Sequence, residues 1–162
     1  MDVNFEKAEK EWAPVVGRFI VDFVMIEDAM SDVIEKNRHR LTDKELKGLD
    51  RFKTKRKLYL KVMRLYLEPM DVARLHEVMV KVKELYEVRN LLAHNSLSFV
   101  YEQESDEKLK VVGFQVIGKK TELSMNLSEL KKKVQELQFE RKRFSELSMA
   151  YYEAELRLIS GL

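Results

Sequence analysis

From Val72 to Leu92, apolar residues at Leu75, Val78, Val82, Leu85 and Leu92 recur at the spacing of one helix face. Arg89 falls on the same stripe, four residues after Leu85 and three before Leu92. A guanidinium among inward-facing residues needs a partner, because an unpaired buried charge is costly. His94 stands five residues further on, about 140° round a helix of roughly 3.6 residues per turn. Neighbours on a helix are three or four residues apart. Arg89 and His94 therefore converge only if the helix stops near Ala93 or if two copies of the chain come together. Asn95 suits a helix end, since Asn tolerates the left-handed conformation. On the residues alone, Arg89 reads as tied to a core acid. His94 then reads as a helix-end residue near the negative end of the dipole.

The same period runs through most of the chain. Asn4 is placed to cap a first helix with Phe5, Ala8, Trp12, Val15, Phe19, Phe23, Ile26, Met30 and Val33 inward. Its phase crosses Pro14, which predicts a kinked helix or two stacked pieces there. Glu27 lies on the apolar side of this helix, either as a carboxylate at the stripe's edge or as the partner of Arg89. Thr42-Asp43-Lys44-Glu45 is a capping box, predicting a second helix with Leu46, Leu49, Phe52, Leu60, Met63 and Leu67 inward. Pro69 suits the first turn of the third helix. Asn126 with Glu129 caps the last, whose stripe is Leu130, Val134, Leu137, Phe144, Leu147, Tyr151, Ala154 and Leu158. At roughly 1.5 Å per residue that helix is about 50 Å long. The length predicts that part of it packs on a second subunit.

Between the third and fourth of these helices the period changes to alternation. Leu97–Gln103 and Lys108–Ile117 read as a hairpin around the polar turn 104–107, with a third short strand at Thr121–Met125. The expected fold is all-α: a bundle of four main helices, with a β-hairpin inserted between the third and fourth, forming one domain over 1–162. A chain of 162 residues is long enough for one such core. Its 45% hydrophobic and 36% charged residues, with only 5 Gly and 2 Pro, favour helices over a sandwich or a disordered chain. There are no cysteines, which excludes disulfides and thiolate metal sites and fits a reducing compartment. The first residues carry no signal-peptide pattern, and the run Phe19–Ile26 is too short to span a bilayer. The expectation is a cytoplasmic protein without a membrane partner.

Thirty Lys and Arg stand against 28 Asp and Glu, so a nucleic-acid footprint must come from local clustering. The second helix supplies such a cluster, with Lys47, Arg51, Lys53, Lys55, Arg56, Lys57, Lys61 and Arg64 against Asp50. This run is either a solvated face or a phosphate-binding wall, in which Lys53, Lys57 and Lys61 are the candidate RNA contacts. There is no glycine loop for phosphates, no Cys/His metal spacing and no serine elbow. His39 and His76 read as isolated surface residues, and no metal or cofactor is expected. What remains is acid–base chemistry beside an arginine. That combination suffices for RNA cleavage, because the substrate brings its own nucleophile, the 2′-hydroxyl.

Arg89-Asn90-Leu91-Leu92-Ala93-His94 resembles the Arg-x4-His motif of the HEPN superfamily in its Arg-Asn-x3-His form. The resemblance implies a helical, usually dimeric domain. It further implies a metal-independent endoribonuclease of a toxin–antitoxin or phage-defence system. Arg89 and His94 would be catalytic, Asn90 a polar positioning residue and Glu27 the supporting acid. A homodimer would bring two histidines together, and an antitoxin or other regulatory protein would be a further partner. One subgroup continues the motif with x-Tyr, whereas His94 is followed here by Asn95-Ser96. Many members are inactive scaffolds, so the second expectation is a non-catalytic nucleic-acid- or protein-binding module.

Overall fold

The computed structural model describes residues 2–3, 5–94, 97–105, 108–117 and 122–161, with side chains for 10–93, 100, 102, 103, 113 and 124–161. The expected cap Asn4, the helix stop Asn95 and the strand start Thr121 lie outside the described residues. The chain is mostly helical. Its elements run β1 (Asp2–Val3), α1 (Phe5–Lys36), a single 3-10 turn (Arg38–Arg40), α2 (Asp43–Leu46) and α3 (Phe52–Met63). After them come α4 (Pro69–His94), β2 (Leu97–Ser105), β3 (Lys108–Ile117), β4 (Glu122–Met125) and α5 (Leu127–Ser160). Among the described residues no helix is long and apolar enough to cross a membrane.

Pro14 sits inside α1, so of the two forms expected there the single helix is the one present. Two other expectations change. The expected second helix is broken into α2 and α3, because Gly48 adopts a positive φ of 78° and turns the backbone out of the helix. The hairpin is part of a larger sheet. β2 pairs antiparallel with β3, β4 pairs antiparallel with β3, and the unforeseen β1 pairs parallel with it. The β2–β3 register shifts by one residue between the pairs Val100–Gly113 and Tyr101–Val111. Gly113 fits there because a Cβ on it would stand 3.1 Å from the carbonyl oxygen of Met125.

Both predicted capping boxes form. Thr42 Oγ1 accepts from the Glu45 amide at 3.3 Å, while Glu45 accepts from the Thr42 amide at 3.0 Å. Asn126 and Glu129 exchange the equivalent bonds at 3.0 and 2.7 Å. Each box satisfies amides that a helix start leaves without partners.

The chain divides into two compact units, residues 1–23 with 83–138, and residues 24–82 with 139–162. In the first, Trp12, Phe19 and Phe23 are buried from α1, Leu85 and Leu92 from α4, and Leu130, Val134 and Leu137 from α5. In the second, Ile26, Met30 and Val33 are buried from α1, Leu75, Val78 and Val82 from α4, and Phe144, Leu147 and Tyr151 from α5. All of these stand on the stripes read from the sequence, whereas Leu58, Tyr59 and Val62, buried on α3, do not; each fully buried side chain contributes roughly 1.5–3 kcal/mol. The α5 stripe does not hold to its end. Leu158 is 67% exposed, with Leu156 and Ile159 exposed beside it.

The second unit also holds a polar core. Asn37, buried at the end of α1, donates from Nδ2 to the Val33 carbonyl at 3.0 Å and to Tyr151 Oη at 2.8 Å. Its Oδ1 accepts from Tyr66 Oη at 2.6 Å, and Tyr151 Oη donates onward to Glu155 at 3.2 Å. Burial pushes the Tyr151 phenol up to about 12, so it remains a donor at neutral pH.

Candidate functional site

Arg89 and Asn90 lie on the last two turns of α4, in the first unit, and both are half-buried. Arg89 Nη1 donates to Asn90 Oδ1 at 3.1 Å. The guanidinium carbon stands 5.9 Å from the centre of the Tyr86 ring, within cation–π range. Tyr86 in turn meets Phe23 of α1, with ring centres 6.0 Å apart and tilted by 53°. A side-chain amide and an aromatic face thus both engage the planar cation, whose fork of donors suits a phosphate. Tyr86 was not among the residues singled out from the sequence. Its signal was available, since it precedes Arg89 by three, the spacing of neighbours on a helix.

His94 is the last residue of α4; its side chain lies outside the described ones. The helix continues through Ala93, so positions 89 and 94 stand about 140° apart around one axis. Glu27 is half-buried on α1 in the second unit, and its backbone carbonyl accepts from Ser31 Oγ at 2.8 Å. Among the described side chains of α1 the fully buried acid is Asp22, which belongs to the same unit as Arg89. Arg18 Nε donates to Asp22 Oδ2 at 3.0 Å. Asp22 interrupts the apolar run Phe19–Ile26, and that interruption marked it in the sequence.

The three candidate RNA contacts on α3 are all exposed, but they are not equivalent. Lys61 is bonded to Glu45, while Lys53 and Lys57 enter no ion pair among the described residues. The Lys61 ammonium, together with the Thr42 amide and hydroxyl, holds the Glu45 carboxyl down to about 2. Glu45 is therefore ionised at neutral pH and offsets the charge of Lys61. His76 Nε2 accepts from Arg64 Nη2 at 2.7 Å, and the exposed His39 accepts through Nε2 from Arg40 Nε at 3.2 Å. Among the described residues no group of three or more His, Asp or Glu is gathered so that it could hold a metal ion.

No family model matches this chain, and comparison with curated proteins and with solved structures returns no significant match.

Proposed function

We propose that this chain is a metal-independent endoribonuclease of the toxin–antitoxin or phage-defence kind, working through Arg89 and His94. We read it as a HEPN-like helical bundle with the hairpin between its third and fourth main helices. The observation that carries the reading is the guanidinium of Arg89, engaged by the Asn90 amide and the Tyr86 ring on the turns that end at His94. In this mechanism the 2′-hydroxyl oxygen of the RNA attacks the adjacent phosphorus as a neutral histidine takes its proton. The bond from phosphorus to the 5′-oxygen breaks, and an imidazolium protonates that oxygen as it leaves. Arg89 offsets the charge that builds on the phosphoryl oxygens.

Base and acid at once require two histidines, and positions 89 and 94 diverge on one helix. A homodimer answers both needs by apposing two copies of the segment. The exposed Leu156, Leu158 and Ile159 at the end of α5 support a second subunit, because apolar side chains gathered at a surface mark contact sites. Light scattering is expected to give twice the chain mass at micromolar protein; the monomer mass would remove the two-histidine mechanism.

The function itself is tested by offering an RNA strand and its all-2′-deoxy counterpart in excess chelator. RNA should be cut and the deoxy strand left whole, since it lacks the nucleophile. Equal cutting of both would overturn the proposal. A second reading, a non-catalytic nucleic-acid-binding module, is favoured by the basic face of α3, which needs no turnover to act.

A further inference from the structure

The segment from Lys36 to Arg64 carries twelve Lys and Arg against three acids, in a chain whose net charge is only +2. It lies wholly in the second unit. Some of its cations are already neutralised: Lys36 pairs with Asp32, Arg38 with Glu35 and Lys61 with Glu45. Lys44, Lys47, Arg51, Lys53 and Lys57 are exposed and enter no ion pair among the described residues. They flank the turn at Gly48, with Lys47 closing α2, Arg51 preceding α3, and Lys53 and Lys57 one turn apart on α3. Like charges one turn apart repel, so the arrangement costs stability without an anion.

We propose that this α2–turn–α3 surface binds the phosphate backbone of a nucleic acid without reading its sequence. The inference rests on the nucleic-acid half of the proposed function and is independent of its catalytic half. The chemistry of the surface selects the occupant. No large hydrophobic side chain between Lys36 and Arg64 is exposed, whereas a protein interface would present apolar or aromatic anchors and would be depleted in lysine. The aromatic residues of the segment, Phe52 and Tyr59, are buried at 3% and 0% exposure. Neither of these rings is therefore offered for stacking on bases, which is how single-strand readers hold them, and the exposed His39 ring is engaged by Arg40. Lysine-dominated point charges without stacking platforms contact phosphates, and phosphate contacts position a nucleic acid without specifying its bases.

The test is the salt dependence of binding by the full chain. The probes are labelled hairpins of two unrelated sequences, made as 2′-O-methyl RNA that cannot be cut through its 2′-oxygen, and as DNA. A variant carrying Lys47→Gln, Arg51→Gln, Lys53→Gln and Lys57→Gln removes four of the unpaired charges and leaves the capped start of α2 in place. Its log–log salt slope should be shallower than wild type by about 3, from roughly 0.7–0.9 per lost phosphate contact. Lys53→Gln with Lys57→Gln alone, at two exposed helical positions, should give about half that change even if the larger variant folds poorly. Lys61→Gln, with its charge already offset, should leave the slope close to that of wild type, well short of the roughly 0.7–0.9 of a full contact. Wild type should bind both sequences, and both backbones, within a few-fold of one another.

Unchanged slopes in both lysine variants, no binding by wild type, or strong preference between the two sequences would each overturn the proposal. So would polyglutamate competing as well as the hairpins, which would assign the surface to an acidic protein. Absence of cleavage of unmodified RNA by wild type, with the slopes as expected, would instead sink only the nuclease. Retained cleavage with unchanged slopes would sink only the binding surface.

Discussion

Alanine in place of His94 is expected to slow RNA cleavage by on the order of 10²–10⁴-fold, the usual weight of a general acid or base, while leaving the protein folded. His94 is the last residue of α4, where the helix has no further turn to support. Its removal should therefore leave the unfolding midpoint close to that of wild type. Arg89→Ala should lower cleavage as well, but with a cost in stability, because it also removes the bond to Asn90 and the contact with Tyr86. The comparison separates a reacting group from one that both binds and packs. Cleavage by His94→Ala at the wild-type rate would place the nuclease elsewhere and leave the binding-module reading.

The largest loss of stability from a single polar side chain is expected at Asn37. Leucine there has similar bulk but takes the acceptor from Tyr66 and the donor from Tyr151, whose hydroxyl keeps its bond to Glu155. Leaving a buried polar group unsatisfied costs about 1–3 kcal/mol. Asn37→Leu should therefore lower unfolding free energy by roughly 1–3 kcal/mol. Tyr66→Phe, which removes a partly buried hydroxyl, should cost only about 1 kcal/mol. Urea unfolding checks both, and a loss below about 0.5 kcal/mol for Asn37→Leu would show that water replaces the amide.

Helix faces were legible in the sequence because the helical period is local, so Phe19, Leu75 and Leu130 could be placed inward from spacing alone. The capping boxes at Thr42 and Asn126 were legible for the same reason. Gly48 gives no stop signal in the sequence, because the apolar phase from Leu46 to Phe52 continues across it, while its positive φ breaks the helix. β1 could not be read, since two residues pairing in parallel with β3 leave no periodic signal. Periodicity also says which face is apolar and not what covers it, and so Leu158 proved exposed.

Around the candidate site, Arg89 and Asn90 were found from the motif and Tyr86 was missed, although its spacing from Arg89 was in view. The two readings of the α3 lysines could not be separated without Glu45, which lies sixteen residues before Lys61 and neutralises it. Ion pairs across such a separation depend on how α2 and α3 are turned by Gly48. No local pattern encodes that turn's outcome.

If Arg89 and His94 cut RNA through the substrate's own 2′-hydroxyl, as proposed, the chemistry of the new ends is determined. Wild-type protein should cleave RNA in excess chelator, leaving a 2′,3′-cyclic phosphate on one fragment and a 5′-hydroxyl on the other. The same incubation with His94→Ala, purified alongside, should leave the strand intact. Cleavage that requires a divalent cation and leaves 5′-phosphates, or no cleavage by wild type at all, would rule out a 2′-hydroxyl nucleophile activated by His94.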